Sequence, residues 1–139
     1  MFKVKYDKSG LVEKFKARLV ARGFTQRYGV DYTKTFAPVI KQASVRLLFV
    51  LAALFKCELR HLDFPQAYLK AKTDYDIYFE LPDVLDIDTK KYVGKLLKGL
   101  YGLKQSGMLW HEEADKSLIA LGLTRSQLDP CVYYHWAND

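Results

Sequence analysis

Apolar and polar positions alternate from the first residues of the chain. Phe2, Val4 and Tyr6 are separated by Lys3 and Lys5, Asp7-Lys8-Ser9-Gly10 has turn chemistry, and alternation resumes over residues 11–20. This is the pattern of a β-hairpin. In its second arm Phe15, Ala17 and Leu19 share one face and Lys14, Lys16 and Arg18 share the other. Gly23 and Tyr28-Gly29-Val30-Asp31-Tyr32 read as a loop that ends at Pro38. Over residues 42–56 the period becomes helical, with Ser44 placed as N-cap and apolar side chains almost all round from Leu47. Such a helix is expected to be covered on most sides. Residues 58–64 alternate again, with Leu62 and Phe64 opposite His61 and Asp63, as a strand packed against that helix and stopped by Pro65.

The second half continues with a polar turn over residues 70–76, a short strand within 77–81, a polar connection over 82–91 and a strand within 92–97. Gly99, Gly102 and Gly107 then mark a tight turn or a close backbone approach to a ligand, without being a phosphate-loop signature. Ser106 is placed to cap a helix whose apolar side carries Trp110, Ala114, Leu118 and Leu121 and whose wet side carries the Glu112–Lys116 pair. Gly122 is its natural end. Two further short strands, 123–126 and 131–136, flank Leu128-Asp129-Pro130. This order predicts an α+β domain with helices packed on a mostly antiparallel sheet.

Composition narrows the class. A chain of 139 residues that is 50% hydrophobic has the size and core content of one domain, which argues against disorder. The longest apolar run, residues 47–55, is about half a bilayer span, and there is no leader of the secretory type. A soluble intracellular chain, cytoplasmic or nuclear and not secreted, is expected, with no membrane partner. Cys57 and Cys131 lack metal-ligand spacing and are expected as reduced thiols in or near the core. The charge is concentrated: residues 1–30 carry eight Lys or Arg against Asp7 and Glu13, while the remaining charges cancel. The hairpin is therefore either a solvated, lysine-rich element or one that faces a polyanion, with Lys14, Lys16 and Arg18 as a phosphate rail.

Candidate chemistry centres on His61-Leu62-Asp63-Phe64-Pro65-Gln66-Ala67-Tyr68-Leu69. Asp63 is either a solvated turn residue, the usual role of Asp there, or the start of a site for a metal-bound phosphate with Tyr68 folded beside it. Asp74 and Asp76 are read as solvated loop acids.

Taken together, Phe15-Lys16-Ala17-Arg18-Leu19-Val20-Ala21-Arg22-Gly23-Phe24-Thr25-Gln26, Gly29-Val30-Asp31-Tyr32, Thr35-Phe36-Ala37-Pro38-Val39, Leu62-Asp63, Leu100-Tyr101-Gly102-Leu103-Lys104-Gln105-Ser106 and Leu128-Asp129-Pro130 resemble the reverse transcriptase domain of copia-type LTR retrotransposon polyproteins. The resemblance runs from about Phe2 to Tyr134. It implies the fingers and a partial palm of a right-hand polymerase in one truncated domain, residues 1–139. Residues 1–41 would be a basic fingers hairpin and loop, and 42–139 a partial palm with interleaved fingers elements. It implies nucleotidyl transfer from a deoxynucleoside triphosphate to a primer 3′-hydroxyl with two Mg²⁺ ions. Asp63 matches the first metal-binding catalytic aspartate, Tyr68 the aromatic under the sugar, and Lys16 and Arg18 the cations on the triphosphate. Tyr101 and Gly102 match the segment against the nucleotide. Lys14, Arg22, Lys104 and Gln105 are expected to contact an RNA or DNA primer-template.

Two departures stand beside these matches. Pro65 and Gln66 replace the basic and small residues usual after the first aspartate, and Gly107-Met108-Leu109 stands where Pro-Arg-Ala is common. The family's second element, an aromatic-x-Asp-Asp hairpin, has no counterpart because the chain contains no Asp-Asp dipeptide. The expectation is a fragment without polymerase activity by itself. It would work with the remainder of the polymerase (palm hairpin, thumb and RNase H), in a virus-like particle for an intact element. The alternatives are a non-enzymatic basic nucleic-acid-binding module and a non-functional element relic.

Overall fold

The structure is a computed structural model that describes residues 1–73, 75–82, 85 and 87–136. The hairpin forms as the alternation predicts, with β1 (Phe2–Tyr6) antiparallel to β2 (Val12–Ala17). Asp7 closes its turn: Oδ1 accepts the N–H of Ser9 at 2.8 Å and of Leu11 at 3.0 Å, and the Ser9 hydroxyl at 2.7 Å. These bonds, the Ser9 hydroxyl foremost, hold the Asp7 carboxyl below its usual value. The register sets Lys3 opposite Lys16 and Lys5 opposite Lys14 on one face, and Phe2 opposite Ala17 and Val4 opposite Phe15 on the other. The apolar face is open, with Phe2 86% and Phe15 78% exposed.

The first helix, α1 (Gln42–Leu54), begins differently from the expectation. Lys41 is the N-cap residue, and the Ser44 hydroxyl donates instead to Asp129 Oδ2 at 2.6 Å. The same oxygen accepts the Lys41 N–H at 2.9 Å, Asp129 Oδ1 accepts the Cys131 N–H at 3.0 Å, and Lys41 Nζ donates to the Leu128 carbonyl at 2.7 Å. A carboxylate from the far end of the chain thus caps α1, where the free N–H groups and the helix dipole favour negative charge.

α1 is not covered on most sides. Ala52 is buried, but Leu47, Phe49, Val50 and Leu54 are exposed. The segment expected to cover it, residues 58–64, carries no strand and pairs with none of the described strands. A strand needs a hydrogen-bonding neighbour; lacking one, this backbone stays in water, with Leu59 and Leu62 exposed and Arg60 paired to Glu58. Cys57 is exposed rather than close to a core, while Cys131 is half-buried and its thiol is pushed up by burial, then by Asp129.

A short 3₁₀ helix, Ala67–Lys70, precedes β3 (Tyr78–Phe79), which pairs with β4 (Gly94–Lys95). Asp76 forms an ion pair with Lys95 across this ribbon at 2.6 Å, which raises the lysine above its usual value, whereas Asp74 lies outside the described residues. The second helix, α2 (Ser106–Ala120), ends with the Gly122 N–H on the Ile119 carbonyl and the Leu123 N–H on the Leu118 carbonyl, the paired bonds of a Schellman ending. It packs on the 3₁₀ helix and on β5 (Thr124–Arg125), the partner of β6 (Tyr133–Tyr134). Asp115 of α2 ties this ribbon down, accepting the Tyr133 hydroxyl at 2.7 Å and pairing with Arg125 at 3.1 Å. Burial, then that hydrogen bond, pushes the Tyr133 phenol up to about 12.

The architecture is α+β and antiparallel, as expected, but the described strands form three separate two-stranded ribbons rather than one sheet. Ile77, Leu100 and Leu103 form a small core with Ala21, Leu69, Tyr75 and Leu96 packed against it.

Candidate nucleotide and nucleic-acid site

That core lies beneath a turn, residues 99–105, on which distant segments converge. The chain leaves β2 through Arg18 and reaches Ala21, whose N–H donates to the Tyr101 carbonyl at 2.7 Å. Backbone meets backbone here: a Cβ at Gly23 would collide with the Gly102 carbonyl oxygen, and one at Gly102 with the Ala21 carbonyl oxygen. Gly102 also has φ +93°, which disfavours any other residue. On the other side of the turn, Tyr68 meets Tyr101 edge to face with ring centroids 4.8 Å apart. The structure therefore brings the exit of the basic strand, the Tyr101–Gly102 turn and Tyr68 into one cluster.

A polar latch holds the cluster. The Gln26 amide donates to Gln105 Oε1 at 2.9 Å, and Gln26 Oε1 accepts the Lys104 N–H at 2.8 Å. Gln105 Nε2 donates in turn to the Asp31 carbonyl at 2.8 Å, and Lys104 Nζ reaches the Gln26 carbonyl at 3.3 Å and the Tyr32 hydroxyl at 3.2 Å. Lys104 also lies 4.9 Å from the Tyr32 ring centroid. Ser106 closes the turn from below, donating to the Leu100 carbonyl at 2.6 Å and accepting the Leu100 N–H at 3.2 Å. With Gln105 and Ser106 at most 2% exposed, their bonds are shielded from water, while those of Lys104 lie at the surface.

The basic rail faces outward. Lys14 and Arg22 are exposed, and Lys16 and Arg18 are half-buried. The surrounding cations, Arg18 first, then burial, then Lys5, Lys14 and Lys3, hold the Lys16 ammonium below its usual value. Asp63 is exposed and forms no hydrogen bond or ion pair within the described residues. Its neighbour Phe64 is anchored on Trp110 of α2, ring centroids 5.3 Å apart. Among the described residues no group of three or more His, Cys, Asp or Glu side chains can hold a metal ion.

Residues 1–139 match the family described as Reverse transcriptase (RNA-dependent DNA polymerase). The chain belongs to this reverse transcriptase family. It is 39% identical over 134 residues to the Retrovirus-related Pol polyprotein from transposon RE1 of Arabidopsis thaliana, a match that covers 96% of this chain and 9% of that protein. It is 38% identical over 135 residues to the Retrovirus-related Pol polyprotein from transposon TNT 1-94 of Nicotiana tabacum, covering 96% of this chain and 10% of that protein. Against the Transposon Ty1-H Gag-Pol polyprotein of Saccharomyces cerevisiae the identity is 32% over 109 residues, covering 75% of this chain and 6% of that protein. The chain thus spans about a tenth of the curated relatives it matches. No solved structure matches it. These relatives identify a stretch of a copia-type reverse transcriptase.

Within this reverse transcriptase stretch, Tyr68 and Tyr101–Gly102 meet, Lys16 and Arg18 lead into the same turn, and Asp63 shares no hydrogen bond or ion pair with them. Lys104 and Gln105 are engaged with the 26–32 loop, and the Gln105 side chain has no free surface to offer a ligand. The sequence reading gave no role to Gln26 and Asp129, nor to Ser106 beyond capping. The available signal was their place inside motifs, since a polar side chain that becomes buried needs a partner.

Proposed function

We propose that this chain supplies fingers (residues 1–41) and part of a palm (42–139) to RNA-directed DNA synthesis by a retrotransposon polymerase. The observation that carries this reading is the convergence of three distant segments, through Ala21, Tyr68 and Tyr101–Gly102, on one turn. Lys16 and Arg18 then offer cations to a triphosphate, and the Tyr68–Tyr101 pair offers a platform beside the sugar and base. Lys14 and Arg22 extend the cationic surface toward primer-template. Asp63 supplies the first acidic ligand of the complete enzyme.

Reverse transcriptases use Mg²⁺, but the described residues do not fit a two-ion site. One solvated carboxylate does not hold two divalent cations against their repulsion. No step through metal follows from these residues, and the chain is expected to extend no primer alone. Primer extension on poly(rA)·oligo(dT) with Mg²⁺ checks this; incorporation lost in Asp63→Ala would overturn it. A nucleic-acid-binding role without catalysis is favoured by the cations of the hairpin, which form no ion pair among the described residues. It predicts affinity that falls with salt and a slope lowered by about one when Lys16 is neutralised.

A further inference from the structure

The hairpin is built against itself. Lys3 faces Lys16 and Lys5 faces Lys14 directly across the strands, with Arg18 continuing the row, and none of the five forms an ion pair within the described residues. Like charges directly opposite destabilise a strand pair, and a two-stranded ribbon without a core is at best marginal in water. The other face does not compensate, because Phe2, Tyr6, Val12 and Phe15 are all exposed. Two elements of local chemistry favour the hairpin, the Asp7 turn and the bonds between Met1 and Arg18, whose N–H donates to the Met1 carbonyl at 2.9 Å. What the ribbon lacks is counter-charge along one face.

We propose that folding of β1–β2 is coupled to binding of a nucleic-acid phosphate backbone, which supplies the missing counter-charge to Lys3, Lys5, Lys14, Lys16 and Arg18. The inference rests on the nucleic-acid reading above and adds that the hairpin is a ligand-ordered element rather than a fixed claw. The depressed Lys16 ammonium is the same repulsion expressed as proton affinity. A phosphate row relieves both at once. An anionic membrane would engage the ribbon through its apolar face, as interfacial amphipathic elements do, and would set the lysine row on the side away from the lipid rather than against counter-charge.

Amide hydrogen exchange of residues 2–17 in the full chain tests the coupling, with a poly(rA)·oligo(dT) duplex as the probe and binding followed separately by fluorescence anisotropy. At 10 mM salt the free hairpin amides are expected to exchange near unfolded rates, and saturating duplex to slow them at least about tenfold. Raising salt to 1 M shortens the screening length from about 30 Å to about 3 Å. It should slow exchange in the free chain while releasing the duplex. Lys3→Glu with Lys5→Glu turns both like-charged pairs into ion pairs, so this variant should be protected without duplex and bind it more weakly. A free wild-type hairpin already as protected as the bound one overturns the coupling and leaves nucleic-acid binding standing. Absence of duplex binding overturns both, and protection by phosphatidylserine vesicles but not by duplex overturns the proposal in favour of a membrane.

Discussion

The two helices invert the expectation set by their own sequences. α1 is the more apolar and lies bare along Leu47, Phe49, Val50 and Leu54, whereas the more polar α2 buries Ser106 and Leu109 and is held by the 3₁₀ helix, Phe64 and the β5–β6 ribbon. The difference is one of partners. α2 has three neighbours packed against it, and α1 is secured chiefly at its N-terminus, by the Asp129 carboxylate. Apolar patterning says that a helix face can be buried, but contact requires something to cover it. An apolar stripe of this size on a protein is a docking face or an aggregation surface.

Packing changes in α2 should therefore have the largest effect. Leu109 is 5% exposed, and Leu109→Ala is expected to cost about 2–4 kcal/mol in denaturant unfolding; a loss under about 1 kcal/mol would erase the contrast between the helices. Next comes the carboxylate at the start of α1. Its three bonds, from the Ser44 hydroxyl first and then the Lys41 and Cys131 N–H groups, hold Asp129 below 3.8 in the folded chain. A lowered carboxyl pKa contributes stability that is complete above the unfolded value and is lost as pH falls through the folded one. Stability should decline below about pH 4, and Asp129→Asn should lower it at neutral pH while flattening that decline. An unchanged acid limb in the variant would remove Asp129 from this role. The outer face of α1 should matter least: Leu47→Lys with Val50→Glu is expected to change unfolding free energy by no more than about 0.5 kcal/mol and to raise solubility. A large loss there would mean that α1 is covered in solution.

Elements whose signals are local were legible in the sequence. The 7–10 turn, the Lys/apolar alternation of β1 and β2, and the helix of Ser106–Ala120 with Gly122 beyond its end depend on residues within a few positions of one another. The strand expected at 58–64 was not recoverable, because alternation reports that a segment suits a sheet and not that a neighbour is there to pair with it. Ser44 illustrates the same limit: its position suits an N-cap, yet its hydroxyl is taken by a carboxylate 85 residues away. In the candidate site, Tyr68 and Tyr101 were singled out from separate motifs, and their rings meet. The latch was hidden because nothing local marks Gln26 as the partner of Gln105.

The meeting of Gly23 with Gly102 has a consequence for how this chain can change over generations. In most tight contacts a harmful substitution on one side can be rescued by trimming the other. Here the nearest atom is a backbone oxygen in each case, that of Gly102 for a Cβ at Gly23 and that of Ala21 for one at Gly102, so no trimmed side chain removes the clash. A side chain gained at either position has no second-site cure in its partner, and lineages that acquire one would have to move the whole turn, with Tyr101 on it, away from Tyr68.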